Sequence, residues 1–261
     1  MEQKATELDA ALTKALKALQ LSTMRECFAE TAAKAKQESL SYERYLLELA
    51  TLEVEARRQK RIERLLRDSK LPLEKSLASL ERKRLPQKLN QQFSTLLEGA
   101  FLARKENVLA FGGPGAGKTH LLCALGQELI VQQARPVLFT KCALLVQELL
   151  LAKRDLKLAK LFKRLARFEA IVIDDIGYVQ QGREEMEVLF TLLAERYERG
   201  SVMLTSNLPF SKWENIFKDA MTTAAAIDRL IHHSVILELN LTSYRKEQAQ
   251  KAKKSETEKE K

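Results

Sequence analysis

Glycine and proline are scarce and unevenly placed: 9 Gly and 5 Pro in 261 residues, with neither before Pro72. That absence excludes a turn-rich β fold for the first seventy or so residues. Cysteine is rarer still. The three present, Cys27, Cys123 and Cys142, are odd in number and include no Cys-x-x-Cys pair. This argues against a disulfide framework or a zinc site and for a reducing, cytoplasmic compartment. Three histidines, His120, His232 and His233, leave little material for a histidine-based metal centre. No apolar run is long enough to cross a bilayer. The start "MEQKATELDAALTKAL" lacks the apolar stretch and cleavage site of a secretory signal. Neither membrane partner nor export is expected.

Charge is present in quantity, 44 Lys+Arg against 35 Asp+Glu, for a formal net charge of +9. A basic balance suits nucleic acid, acidic proteins or anionic membrane, and its distribution along the chain matters more than the total. Residues 1–72 are rich in Leu, Ala, Glu, Lys and Arg, the strong helix formers. Leu8, Leu12, Leu16 and Leu19 recur at helical steps, and a second long pattern runs from Ser41 to Asp68. An N-terminal all-helical domain over 1–72 is predicted, followed by a connector over 73–106.

From Asn107 the pattern changes. Short β-rich runs at 108–111, 137–140, 170–174, 201–206 and 235–239 alternate with helical stretches near 118–133, 142–166, 183–199 and 220–232. Such alternation predicts an α/β domain over 107–245, a parallel sheet covered by helices on both faces. The segment 246–261, "KEQAQKAKKSETEKEK", has no apolar anchor beyond alanine and is expected to be a disordered charged tail.

Gly112-Gly113-Pro114-Gly115-Ala116-Gly117-Lys118-Thr119 matches G-x-x-x-x-G-K-[ST] without a mismatch, between a strand-like run and a helix-like one. Glycines let backbone N–H groups approach a phosphate chain closely, and the following helix N-terminus adds its dipole. Lys118 is suited to the β- and γ-phosphates, and Thr119 to Mg²⁺. His120 completes the expected nucleotide-binding run, Gly112 to His120. ATP and Mg²⁺ are the expected cofactors.

The run "AIVIDDIG" ends a buried strand in two acids. Asp174 is the expected Mg²⁺ partner, and Asp175 the group that polarises the attacking water. A third run, "SVMLTSNLPF", ends in Thr205-Ser206-Asn207, where Asn207 is the candidate for contacting the γ-phosphate or the lytic water. An Asn-Leu-Pro turn with no such role fits the same residues. Arg229, just before the last strand run, could neutralise charge on the transferred phosphoryl group; an ordinary helix arginine paired to Asp228 reads the same way.

These stations, in the segments "GGPGAGKTHLL", "VIDDIGYV", "EVLFTLLAERYERGSVMLTSNLPFSKW" and "DRLIHHSVILELNLTSYR", resemble the AAA+ ATPases of the clade holding DnaA and the helicase loader DnaC. Within it they are most similar to the IstB family of transposition helper ATPases, over residues 80–248. The resemblance implies an AAA+ core with a five-stranded parallel sheet of order 5-1-4-3-2; the short stretch after Arg245 departs from that pattern, and no full C-terminal lid is expected. It implies Asn207 as sensor I and Arg229 as an arginine finger acting on a neighbouring subunit's ATP, so that ATP sits between protomers of a homo-oligomer. It places Arg245 at a sensor-II-like position and leaves Arg196 either facing the neighbour or capping the core. Asp175 stands where most of the broader class has Glu.

Two basic runs complete the reading. Residues 57–70 carry seven basic residues against two acidic, with Arg57, Arg58, Lys60, Arg61 and Arg64 as candidate DNA contacts. Residues 153–167 carry seven against one, with Lys153, Arg154, Lys157, Lys160 and Arg164 as candidates. Lys153, Lys157, Lys160 and Arg164 are expected to form one helical stripe. Such stripes fit a phosphate backbone, and a solvated helix face fits them equally well. No sequence-reading motif is visible, so largely sequence-independent binding of duplex DNA is expected; the IstB resemblance implies the same, with the N-terminal helical domain over 1–72 serving DNA binding and self-assembly. The leading expectation is an ATP-dependent, DNA-binding regulator of transposition working with a separate transposase, because no nuclease constellation is visible. A DnaC-type helicase loader is the alternative, and a small-molecule kinase the third.

Overall fold

The computed structural model describes residues 2–176, 182–209, 212–213, 228 and 230–241. The chain divides into two compact units, Met1–Arg64 and Leu65–Lys261.

The first unit is helical: α1 (Glu2–Ala18), α2 (Ser22–Gln37) and most of α3 (Tyr42–Ser69). Of the leucine stripe on α1, Leu16 is buried whereas Leu8 and Leu19 are exposed. Without glycine, the turns after α1 and α2 use Gln20 and Ser39 in the left-handed region, at φ 57° and 53°. The N–H groups of Leu21 and Leu40 then close onto Leu16 O and Ala35 O, which satisfies carbonyls the helix ends would leave open.

The start of α2 has no side-chain cap of its own. It borrows one from α3: Glu53 Oε2 accepts from the N–H groups of Thr23 at 2.8 Å and Met24 at 3.1 Å. Its Oε1 accepts from Arg57 Nε at 2.7 Å. Burial alone would push the Glu53 carboxyl up, but the Arg57 guanidinium and the two N–H donors hold it below the ordinary 4.5. An acid with a depressed folded pKa stabilises the fold above its unfolded pKa, and that contribution is lost as pH falls through the folded value. Thermal melts should therefore show the helical unit weakening below about pH 4.5. Glu53→Gln should cost about 1–3 kcal/mol at neutral pH and flatten that acid dependence; an E53Q melting curve that tracks the wild type at both pH values would refute the cap.

The second unit holds a 3₁₀ turn at Arg82–Arg84, α4 (Gln87–Leu97) and α5 (Ala100–Ala103). It continues through β1 (Asn107–Gly112), α6 (Lys118–Gln133), β2 (Val137–Lys141), α7 (Cys142–Arg154) and α8 (Leu158–Leu165). It is completed by β3 (Ala170–Ile176), α9 (Arg183–Arg196), β4 (Ser201–Ser206) and β5 (Ser234–Leu239). All four strand pairings are parallel and the order is β2-β3-β4-β1-β5, the order the resemblance implies read from its other edge. Val108–Ala110 and Ala170–Ile173 are fully buried, as strands covered on both faces must be. Helix α6 is buried nearly all round from Leu121 to Ile130, which explains its apolar sequence on every side. Cys123 lies inside it, and burial pushes its thiol up to about 12, leaving it unreactive.

One expected helix is two. The stretch 142–166 breaks after Arg154, where Leu156 takes a left-handed φ of 57°. Leu156 N–H bonds to Lys153 O, and Lys157 N–H bonds to Ala152 O at 2.7 Å, the paired closure of a helix stop. Glycine normally marks such a stop; leucine occupies it here, so no local signal revealed it. Residues 177–181, most of the helix expected near 220–232, and the segment after 241 lie outside the described residues; Asp228, Leu230 and Ile231 are helical.

Candidate nucleotide site

Strand β1 ends at Gly112, and the loop to Lys118 turns through Gly115 at φ 80° and Gly117 at φ 94°, a region that disfavours any residue with a Cβ. Gly112, at φ 156°, is also constrained by its neighbour: a Cβ there would lie 2.5 Å from Leu239 O on the adjoining β5. Lys118 opens α6 with its side chain folded back over the loop, and the residue is 6% exposed. Its Nζ donates to Gly112 O at 2.7 Å, Gly113 O at 2.9 Å and Asn207 Oδ1 at 2.5 Å. Asn207 Nδ2 in turn donates to Asp175 Oδ1 at 3.2 Å.

A second chain of bonds runs beside the first. Thr119 Oγ1 donates to Asp174 Oδ1 at 2.7 Å, and Thr205 Oγ1 donates to the same oxygen at 2.7 Å. The loop, both acids and Asn207 come from the C-terminal ends of β1, β3 and β4, and the parallel sheet gathers them at one edge. A hydroxyl and a carboxylate in contact form the hard-oxygen donor pair that Mg²⁺ takes alongside substrate phosphates. Among the described residues no cluster of three or more His, Cys, Asp or Glu could hold a metal without such help.

Next to the loop lies a cavity of about 380 Å³. Gly115 to Leu121 form one wall, Lys75, Ser79, Leu80, Glu81, Arg84 and Leu85 another, and Leu239 and Leu241 close it. The connector thus belongs to the site, which sequence reading had missed. Two side chains of α6 hold it there. His120 Nε2 lies 3.0 Å from Ser76 O and 3.1 Å from Ser79 Oγ. Gln127 Nε2 donates to Pro72 O at 2.9 Å and Lys75 O at 3.1 Å. His120 therefore lines the cavity while also tethering its far wall.

The model of the family described as IstB-like ATP binding protein matches residues 14–252. The chain belongs to the IstB-like ATP-binding family. It is 40% identical to an insertion sequence ATP-binding protein of Sinorhizobium fredii over 90% of this chain and 79% of that one. It is 36% identical to the insertion sequence IS21 ATP-binding protein of Pseudomonas aeruginosa, over 94% of this chain and 91% of that one. Among solved structures, AMPPCP-bound DnaA from Aquifex aeolicus superposes with a TM-score of 0.52 at 18% identity, over 67% of this chain and 53% of that one. The DnaC helicase loader superposes with a TM-score of 0.50 at 16% identity, over 59% of this chain and 89% of that one. These likenesses show the AAA+ fold.

In this IstB-like chain Arg196 takes the second of its two expected roles. Arg196 does not face outward. It is 6% exposed, and its guanidinium donates to the carbonyls of Leu165, Phe168, Glu169 and Ser201 at 3.1–3.2 Å. It caps the core, and the neighbour-facing alternative is set aside. Arg229 and Arg245 lie outside the described residues.

The basic runs are only partly available as the sequence suggested. Arg57 is committed to Glu53 and to Gln20 O, the latter at 2.7 Å. Lys60 reaches Ser22 Oγ at 3.4 Å and Arg58 pairs with Glu55 at 3.6 Å; all five candidates, Arg57, Arg58, Lys60, Arg61 and Arg64, are exposed. The single stripe expected from Lys153 to Arg164 does not exist, because the turn at 155–157 places Lys153 and Arg154 on α7 and Lys160 and Arg164 on α8. Lys153 pairs with Glu187 at 3.1 Å, Lys157 and Arg154 share Asp155, and Arg164 pairs with Glu148. These exposed pairs contribute little to stability, so a polyanion can compete for the same cations. Among the described residues no helix is long and apolar enough to cross a membrane.

Proposed function

We propose that this chain is an ATP-dependent, DNA-binding regulator of transposition, which assembles on duplex DNA with ATP and recruits or activates a separate transposase. Hydrolysis resets the assembly. The observation that carries this reading is the convergence of Lys118, Thr119, Asp174, Asp175 and Asn207 beside the 380 Å³ cavity, in a chain whose relatives are insertion sequence ATP-binding proteins.

Each residue has a distinct task. The N–H groups of Gly113 to Lys118 and the N-terminus of α6 bind the phosphate chain, and the ammonium of Lys118 leaves the loop carbonyls for the β- and γ-oxygens. Asn207, released by Lys118, keeps its amide toward Asp175 and presents its carbonyl to the lytic water. Asp175 accepts that water's hydrogen bond and orients the oxygen for in-line attack. Thr119 and Asp174 would hold Mg²⁺, which when bound neutralises charge on the phosphates. Leu80, Leu85, Leu239 and Leu241 give the base an apolar compartment, and the connector closes it. Arg229 of an adjacent copy supplies the remaining positive charge. Arg61, Arg64, Lys157, Lys160 and their neighbours contact the DNA backbone without reading its sequence. The protein acts in the cytoplasm.

The test is electron microscopy of the purified chain with ATP, Mg²⁺ and duplex DNA, beside the same mixture with Arg229→Ala. Ordered oligomers should form with the wild type, and the variant should hydrolyse ATP at least about a thousandfold more slowly in the assembled state. Monomers indifferent to nucleotide and DNA would refute the proposal; capture of a replicative helicase in place of a transposase would favour the loader.

A further inference from the structure

Strand β3 carries an irregularity at the point where the site is built. Its register with β4 runs evenly from Ala170↔Ser201 to Ile173↔Leu204, and then jumps to Ile176↔Ser206. Asp174 and Asp175 together oppose one residue, Thr205. This is a β-bulge, uncommon between parallel strands and frequent beside active sites, where it re-aims side chains. Asp175 accommodates it with a left-handed φ of 68°. Without the extra residue, alternation would send consecutive side chains to opposite faces of the sheet.

A bulge leaves a ladder N–H without its backbone acceptor, and here that N–H is Asp175's. It donates to Thr205 Oγ1 at 2.8 Å, while the Thr205 hydroxyl hydrogen goes to Asp174 Oδ1 at 2.7 Å. Thr205 is 0% exposed. A single buried hydroxyl therefore holds the backbone of one acid and the carboxylate of the other.

We infer that Thr205 is the positioning residue of the hydrolytic site, fixing Asp174 toward the metal and Asp175 toward the water through one hydroxyl that bridges the bulge. The inference rests on the proposed ATPase reading. Its chemistry is simple. When Thr119 turns its hydroxyl from Asp174 Oδ1 to the cation, the Thr205 bond is the one that still orients that carboxylate. The Asp175 backbone, strained and opposite no ladder partner, keeps its conformation because the same oxygen accepts its N–H.

Thr205→Val keeps the shape of the side chain and removes both bonds; Thr205→Ser keeps the bonds and removes a methyl group. Two measurements separate this inference from the proposed function. The first is amide hydrogen exchange at Asp175 in nucleotide-free protein, which should accelerate by about tenfold or more in T205V and stay near wild type in T205S. The second is the Mg²⁺ concentration that half-saturates ATP binding, which should rise about ten- to a hundredfold in T205V with ATP affinity in EDTA unchanged. T205S should restore it. A T205V protein with wild-type exchange and wild-type Mg²⁺ dependence would overturn the inference, as would a T205S protein as impaired as T205V. A wild type that binds ATP but never hydrolyses it would defeat the proposed function, while both readouts would still judge Thr205.

Discussion

Replacing Lys118 with alanine is expected to lower the rate of ATP hydrolysis by at least about a hundredfold, the usual consequence of removing a preorganised charge from where negative charge develops. The structure explains why no neighbour substitutes. The ammonium is nearly enclosed, and it donates to the carbonyls of Gly112 and Gly113 and to the side chain of Asn207. In the proposed mechanism an entering phosphate displaces these neutral acceptors. Arginine is a poor replacement, since a planar fork cannot converge on acceptors arranged around one point. The same change cuts the link between the loop and Asn207, so it also loosens the hold on Asp175. Phosphate release at saturating ATP, with and without DNA, is the measurement. A K118A rate within fivefold of wild type would remove the loop from the chemistry.

Arg196→Met should be a strongly destabilising substitution in the second unit. The residue closes α9, and its two terminal nitrogens satisfy carbonyls from the end of α8, the turn before β3 and the start of β4. Burial pushes the guanidinium down to about 10, still charged at neutral pH, and its Nε has no acceptor among the described residues. Methionine retains the bulk and removes all four bonds, although Leu165 O and Glu169 O keep the backbone N–H groups of Phe168 and Ser201. A cost of about 3 kcal/mol or more follows, or a melting temperature lower by roughly 6 °C or more for a unit of this size. Gly200 belongs to the same arrangement, because a Cβ there would collide with Arg196 Nη2 and Cζ. Gly200→Ala should reproduce part of the loss. If Arg196→Met melted like the wild type yet failed to assemble, Arg196 would face a partner after all.

Much of this was legible from local pattern. The five strand runs were placed to within two residues at either end, because apolar β-branched stretches between helical patterns have one stable outcome in an α/β chain. The glycine-rich loop motif could be read outright, and the folded loop takes a positive φ at Gly115 and Gly117, as glycine allows. Asp174 and Asn207 followed from their places at strand ends, since a parallel sheet brings those ends together. The long helix over Tyr42–Ser69 needed only its composition and the absence of Gly and Pro.

What the sequence determined alone, then, is which segments are strands and helices, and which side chains meet at one edge of the sheet. The tertiary structure decided the rest, for one physical reason: the deciding bonds join residues tens of positions apart. Glu53 caps α2 from thirty residues away. His120 and Gln127 enlist the connector from 44 and 55 residues away. The Arg196 acceptors lie up to 31 residues off. The bulge opposite Thr205 is a property of two strands in register, so neither strand's sequence contains it. The stop at Leu156 is local, but it occupies a position where glycine is the usual sign, and only the folded backbone reveals it.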